Sequence, residues 1–208
     1  TTTDIALFAD GVPLFEAFGV TIEGHKTLIR GLKTRSVGIG GDSVIRLNNG
    51  KISIGPQREG VAAALGGPFP TPTDAMVVLG MASIGDPEKA ADSLAPIAET
   101  WRCPIVEAAG KVFEETCRII VDHVRKFVDE INDQPVYTIH EMLEGKKLIP
   151  RLLYMVGAPA GPLAPELGKR LACEDHIPVH AEVANAIGAA LARTTAEMTL
   201  LADTERKT

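Results

Sequence analysis

Aromatic side chains make up only 4% of this 208-residue chain, so its core has to be aliphatic, built from Val, Ile, Leu and Ala. Cysteine is scarcer still. Cys103, Cys117 and Cys173 are odd in number and widely spaced, which gives neither a disulfide framework nor zinc-ligand spacing and makes a reducing cytoplasm the expected compartment. A basic surface is missing too: 21 Lys and Arg stand against 27 Asp and Glu, a formal net charge of −6. That argues against a nucleic-acid partner, although backbone amides and helix ends can still bind an anion. No apolar run approaches the roughly 20 residues that span a bilayer, so no membrane partner is expected. No charged segment with a small-residue cleavage site opens the chain. There is no initiating Met, and Ile5 to Ala9 already reads as a strand, so residue 1 is expected to be a boundary inside a larger fold.

What is present suits one sizeable domain or two small lobes sharing a cleft. Residues 1–80 read as β-rich. Asp10-Gly11 joins the apolar stretches Ile5–Ala9 and Val12–Phe18, and Asn48-Asn49-Gly50 joins Ser43–Leu47 to Lys51–Ile54, both as hairpins. Residues 19–34 are polar and show no period. The Gly/Pro-rich run GGPFPTPT (66–73) reads as an ordered loop or a crossing between lobes, with Thr73 capping a short helix over 74–79. Residues 81–150 read as helical. Pro87 opens a helix towards Trp101, and after Pro104 apolar residues recur at three- and four-residue spacing through Ile131. The other face of that helix carries Glu107–Lys111, Glu114–Arg118 and Asp122–Lys126 at i,i+4. Residues 151–208 read as a strand (152–156), a Gly/Ala/Pro turn, a helix (163–173), a brief strand (177–179) and an Ala-rich closing helix (182–201) with Gly188 on its inner face. The alternation predicts an α/β fold with binding at strand ends.

Several motifs are near-misses. GVTIEGHKT (19–27) imitates a P-loop, but His25 splits Gly24 from Lys26 and no helix signal follows. Gly38, Gly40 and Gly41 suggest a dinucleotide loop, yet a hairpin follows where a helix is needed. His176 and His180 have ligand-like spacing, but Pro178 keeps them off a common helix face. The paired carboxylates Glu114-Glu115 and Asp129-Glu130 fall on the solvated stripe of the long helix.

Three clusters remain, each with a plain alternative. TTTD (Thr1–Asp4) can offer N–H groups and hydroxyls to phosphate oxygens beside an acidic residue for a metal–water shell, or it is a β-forming tract. VGIGGDS (37–43) lets backbone approach a ligand closely with Asp42 unobstructed, or it is a tight strand-to-strand turn. MVGAPAGPLAPEL (155–167) can pack a nucleoside against bare backbone, or it is an ordinary strand-to-helix connection.

In this order TTTDIALFADGVPL, VGIGGDSVIRL with NNG and KISIGP, GGPFPTPTDAMVVLG and VGAPAGPLAPEL resemble the hydantoinase/oxoprolinase family, within the actin-like ATPase superfamily shared with sugar kinases. The likeness covers most of residues 1–80 and 151–193, and AEVANAIGAALAR is similar to the superfamily's closing helix. The resemblance implies an RNase H-like (actin-like ATPase) lobe, a mixed β-sheet flanked by helices, with ATP and Mg2+ or another divalent cation in a cleft against a second, N-terminal lobe that precedes this piece. It implies that Thr1, Thr2 and Thr3 contact phosphates as the end of a Gly-Gly-Thr-Thr-Thr-Asp loop and that Gly40 and Gly41 approach the nucleotide. Asp4 would serve the metal shell, Asp42 the chemistry or the metal, and Gly157, Ala158 and Gly161 the nucleoside.

The activity implied is ATP-dependent hydrolysis of a cyclic amide C–N bond, in which phosphorylation of the amide oxygen supplies a leaving group. The alternatives are a reactivating or assembly ATPase acting on a partner enzyme and a small-molecule kinase. An isolated lobe would be inactive, bind ATP weakly, and expose apolar surface to a partner subunit or a second copy. Two departures stand out: Asp42 where many relatives carry another glycine, and Leu65-Gly66-Gly67-Pro68 where many carry Cys-Tyr-Gly.

Overall fold

The computed structural model describes residues 1–16, 19–27, 29, 31–133 and 147–193. Two-residue turns fold its first third. β1 (Thr3–Ala6) leads into β2 (Phe8–Ala9) and β3 (Val12–Pro13), joined at Asp10-Gly11. β4 (Thr21–Ile22) and β5 (His25–Lys26) form a second hairpin around Glu23-Gly24. β6 (Thr34–Val37) then returns antiparallel to β1, with Thr3 opposite Val37 and Asp4 opposite Ser36. β7 (Ile45–Asn48) and β8 (Lys51–Ile54) close the third hairpin at Asn49-Gly50. All three turns place two successive residues at positive φ, the twist that suits a tight hairpin and that Gly, Asn and Asp tolerate best. The middle hairpin corrects the reading of 19–34 as patternless. Its strands are two residues long, too short to show a period.

A 3₁₀ turn (Ala63–Leu65) precedes α1 (Pro72–Val78). The cap is Thr71, two residues before the expected Thr73. Thr71 has the extended backbone of a cap, and with Asp74 three residues on it completes a capping box,. α2 (Pro87–Trp101) starts as expected, with the Asp86 carboxylate accepting from Glu88 N. α3 (Ile105–Asn132) has 28 residues, about 42 Å at the usual rise. Its buried stripe, Ala108, Ala109, Val112, Phe113, Thr116, Cys117, Ile120, Val121 and Phe127, follows the three-and-four spacing of the sequence. On the solvated side Glu107 pairs with Lys111 as expected, but Arg118 turns to Glu115 and Asp122, while Glu114 reaches Arg170.

The last third is a βαβ unit. β9 (Leu152–Tyr154) runs parallel to β10 (Glu174–His176), and α4 (Ala160–Leu171) connects them. The second strand lies at 174–176, not at the expected 177–179, because Pro178 has no N–H for a ladder. α5 (Ala184–Leu191) lies within the expected closing helix and has no buried residue; Gly188 is exposed with open space at its Cβ position, which corrects its placement on an inner face. The expected helix over 182–201 is also shorter: Ala181–Val183 is a 3₁₀ turn and Ala192 is extended, so α5 stops at Leu191, and 194–201 lie outside the described residues. Instead of one mixed sheet, the described strands form five two-stranded ladders, four antiparallel and one parallel.

One core joins these parts. Val37, Ile39, Ile45 and Ile54 from the strands meet Met76 of α1, Leu94 and Ile97 of α2, the stripe of α3, and Leu163 and Leu167 of α4. α3 is thus the common support: the β1–β6 side lies on it at one place and α4 at another.

Candidate functional site

The β1–β6 ladder brings the first two glycine or threonine clusters together. Thr3 Oγ1 donates to Ile39 O at 2.7 Å. Thr1 lies against Gly40 so closely that a Cβ on Gly40 would stand 2.2 Å from Thr1 Cγ2, so any larger residue there would displace the Thr1 side chain. Asp4 accepts a hydrogen bond from the Ser36 hydroxyl across the ladder and a longer one, 3.4 Å, from Thr2 Oγ1. Thr1, Thr2 and Asp4 are exposed, and Thr3 is half-buried.

The turn they touch is held from within. Ser43 is fully buried; its N–H donates to Gly40 O at 3.1 Å and its Oγ accepts from Gly40 N at 2.9 Å. Thr73, in the first turn of α1, donates both its N–H and its hydroxyl to Gly41 O, each at 2.9 Å. Asp42 is paired: Arg58 Nε and Nη2 donate to its Oδ2 at 3.2 and 2.9 Å. Among the described residues the N–H groups of Gly41 and Asp42 have no hydrogen-bond partner.

The third cluster is a strand-to-helix turn at the carboxyl end of β9. Gly157 has φ +102°, and its N–H donates to Ala181 O at 2.7 Å. Ala160 N donates to Gly157 O at 3.1 Å as α4 begins. Gly157 is therefore required by the backbone. Gly161 is exposed and a Cβ there would meet nothing within 4 Å, so packing does not demand it. Ala158 is exposed beside it. Among the described residues no hydrogen bond joins this turn to Thr1–Asp4 or to 40–43. The link is α3: Arg35 of β6 pairs with Glu130 and lies over the Phe127 ring, while Arg125 donates to Arg170 O at the end of α4.

Three residues of this site were not singled out from sequence. Thr73 carries only a cap signal, and Ser36 carries none. Arg58 had one: counting symmetrically from Asn49-Gly50 sets Asp42 opposite Gln57, next to Arg58. Among the described residues no group of three or more His, Cys, Asp and Glu gathers for a metal. Mg2+ asks for less, one or two carboxylates completed by phosphate oxygens and water, and the exposed Asp4 and half-buried Asp42 suit that need.

Solved structures share this fold. A nucleotide-free acetone carboxylase, from a study of ATP-dependent acetone carboxylation, superposes with a TM-score of 0.73 at 23% identity over 92% of this chain and 28% of its own. The ATP-dependent caprolactamase of Pseudomonas jessenii superposes with a TM-score of 0.58 at 21% identity over 74% of this chain and 24% of its own. The chain therefore spans about a quarter of the length of either. No curated protein matches it in sequence. No helix among the described residues is long and apolar enough to cross a membrane. The hydantoinase/oxoprolinase family model matches residues 1–198, and with the three clusters in the order that resemblance requires, the chain belongs to the hydantoinase/oxoprolinase family.

Proposed function

We propose that this chain supplies the phosphate- and nucleoside-binding part of an ATP-dependent enzyme that hydrolyses a cyclic amide C–N bond, in an RNase H-like lobe that works against a second lobe. The observation that carries the reading is the junction of Thr1–Asp4 with 40–43. Thr3 is hydrogen-bonded to Ile39, 36 residues on, and Thr1 packs on Gly40, next to the unspent N–H groups of Gly41 and Asp42. The names of both similar structures include ATP dependence, which supports a nucleotide as the phosphate source.

In this reading Thr1, Thr2 and Thr3 and the N–H groups at the 40–43 turn hold phosphate oxygens, with Gly40 and Gly41 leaving room for close approach. Asp4 holds Mg2+ through water, and Asp42 orients the second cation ligand or the reacting group. ATP, when bound, supplies a phosphoryl group that turns the amide oxygen into a leaving group. Gly157, Ala158 and Gly161 form a flat backbone surface for the nucleoside, which explains a glycine at 161 that packing leaves optional.

The test is turnover by the full-length protein. ATP-dependent ring opening of hydantoins, 5-oxoproline or related lactams, lost in Thr2→Val and Asp4→Ala, is expected. A stable phosphorylated product would point to a kinase instead. ATP hydrolysis stimulated only by a partner protein would point to an assembly ATPase, a reading favoured by the exposed apolar face of α5, where Ile187 and Leu191 are uncovered.

A further inference from the structure

Asp42 and Arg58 meet because the backbone makes them meet. Beyond the β7–β8 ladder, Gly55 N donates to Val44 O and Val44 N to Gln57 O, each at 2.9 Å. This zips residues 55–57 against residue 44 and leaves Arg58 beside Asp42. The next residue, Glu59, is tied to Arg46 of β7, so the segment is anchored on both sides of Arg58, to Val44 and to Arg46.

Within the pair the donors are spent unevenly. Both Arg58 contacts go to Oδ2, and Oδ1 has no hydrogen-bond partner among the described residues. The N–H groups of Gly41 and Asp42, in succession, are also unspent. A guanidinium beside consecutive free amides is a donor set for a phosphate oxyanion. The Asp42 carboxylate is the one group among them that repels such an anion. The pair is open to exchange, since the Arg58 and Asp42 side chains are 51% and 27% exposed, and an ion pair in contact with water is held weakly.

We propose that Arg58 is a phosphate-binding residue of the 40–43 turn, held in reserve by Asp42 as an internal counter-ion. An arriving phosphate group takes the Arg58 donors together with the Gly41 and Asp42 amides, and Asp42 is left for the cation that accompanies it. The inference rests on the reading of this turn as a phosphate loop for the identity of its ligand, yet its test needs no ATP and no turnover.

Inorganic pyrophosphate is titrated at constant ionic strength while the amide signals of Gly41 and Asp42 and the Arg58 Nε–H signal are followed by NMR. Both side chains are at the surface, and unshifted signals from the α3 stripe report that each variant is folded. Asp42→Asn frees the guanidinium and should tighten binding by about tenfold, the scale of one charge-assisted contact. Arg58→Gln leaves Asp42 unopposed and should weaken binding by about tenfold or more. The double variant should fall back from Asp42→Asn by a similar factor, and Arg58→Lys, which keeps the charge without the fork, should lie between wild type and Arg58→Gln.

Binding by Asp42→Asn no tighter than by wild type would overturn the proposal, as would a double variant as tight as Asp42→Asn or no saturable shift in any protein. If Asp42→Asn takes pyrophosphate through Arg58 while the wild type ignores Mg-ATP, the exchange stands and only the ATP reading fails.

Discussion

Gly55 is held at φ +66°, and a methyl group there would stand 2.2 Å from the Gly38 carbonyl oxygen. A backbone atom cannot swing aside as a side chain can. Gly55→Ala should therefore cost about 2–4 kcal/mol in urea unfolding, from left-handed strain and overlap together. Gly40→Ala meets a different neighbour, the Cγ2 of the exposed Thr1, which can move. It should cost less than about 1 kcal/mol while weakening whatever Thr1 and Gly40 bind together.

A buried thiol gives a pH test at the same scale. Cys117 is fully buried on α3, and desolvation pushes its thiol up to about 12 from 9.0. The unfolded chain releases that proton near pH 9 and the native chain does not. Its contribution is whole below pH 9 and is lost as pH rises from 9 to 12, at about 1.4 kcal/mol per unit. Cys117→Ala should show a flatter alkaline limb than wild type when urea midpoints are compared at pH 8 and pH 10; parallel limbs would contradict this. Of the site residues, the threonines, glycines and Asp42 were legible in the sequence because their types suit the chemistry. Arg58 was legible only as a neighbour of Asp42, by counting symmetrically from Asn49-Gly50, which gives a loop arginine a place but no role.

At the scale of elements, α1 hangs on one carboxylate. Asp74 is fully buried and accepts from Ala63 N, Ala64 N, Thr71 N and Thr71 Oγ1, at 3.1, 2.7, 2.8 and 2.8 Å. It thus ties the 3₁₀ turn to the start of α1, whose Thr73 in turn clamps Gly41. Asp74→Ala would strand three buried N–H groups and should cost about 3–5 kcal/mol, measured by urea unfolding. It should also loosen the 40–43 turn, seen as faster amide exchange at Ser43.

The sequence carried the long elements well. α3 and the start of α2 follow from apolar spacing and from Asp86-Pro87, signals that need no tertiary context. Short elements were displaced or missed. The β4–β5 hairpin has two residues per strand, β10 lies three residues before the apolar run that suggested it, and the α1 cap moved to Thr71 because both threonines fit the local pattern and only the capping box decides. β10 is set by pairing with β9, a contact that local pattern cannot express.

For the whole molecule, α3 is the beam that the other parts share. Among the described residues no hydrogen bond joins the junction of Thr1–Asp4 with 40–43 to the Gly157 turn, and each is linked to α3 through its own contacts. The order of the clusters along the chain was legible as a family resemblance. Their placement relative to one another was not, since it depends on how β6 and α4 rest on α3. The central claim is that Thr1–Asp4 and 40–43 act as a single phosphate site. The most direct test is amide NMR of this chain during addition of Mg-ATP. The account predicts saturable shifts at Thr2–Asp4 and at Gly40–Asp42 that share one dissociation constant. Shifts at only one of the two segments, different constants for them, or no saturable shift in either would contradict it.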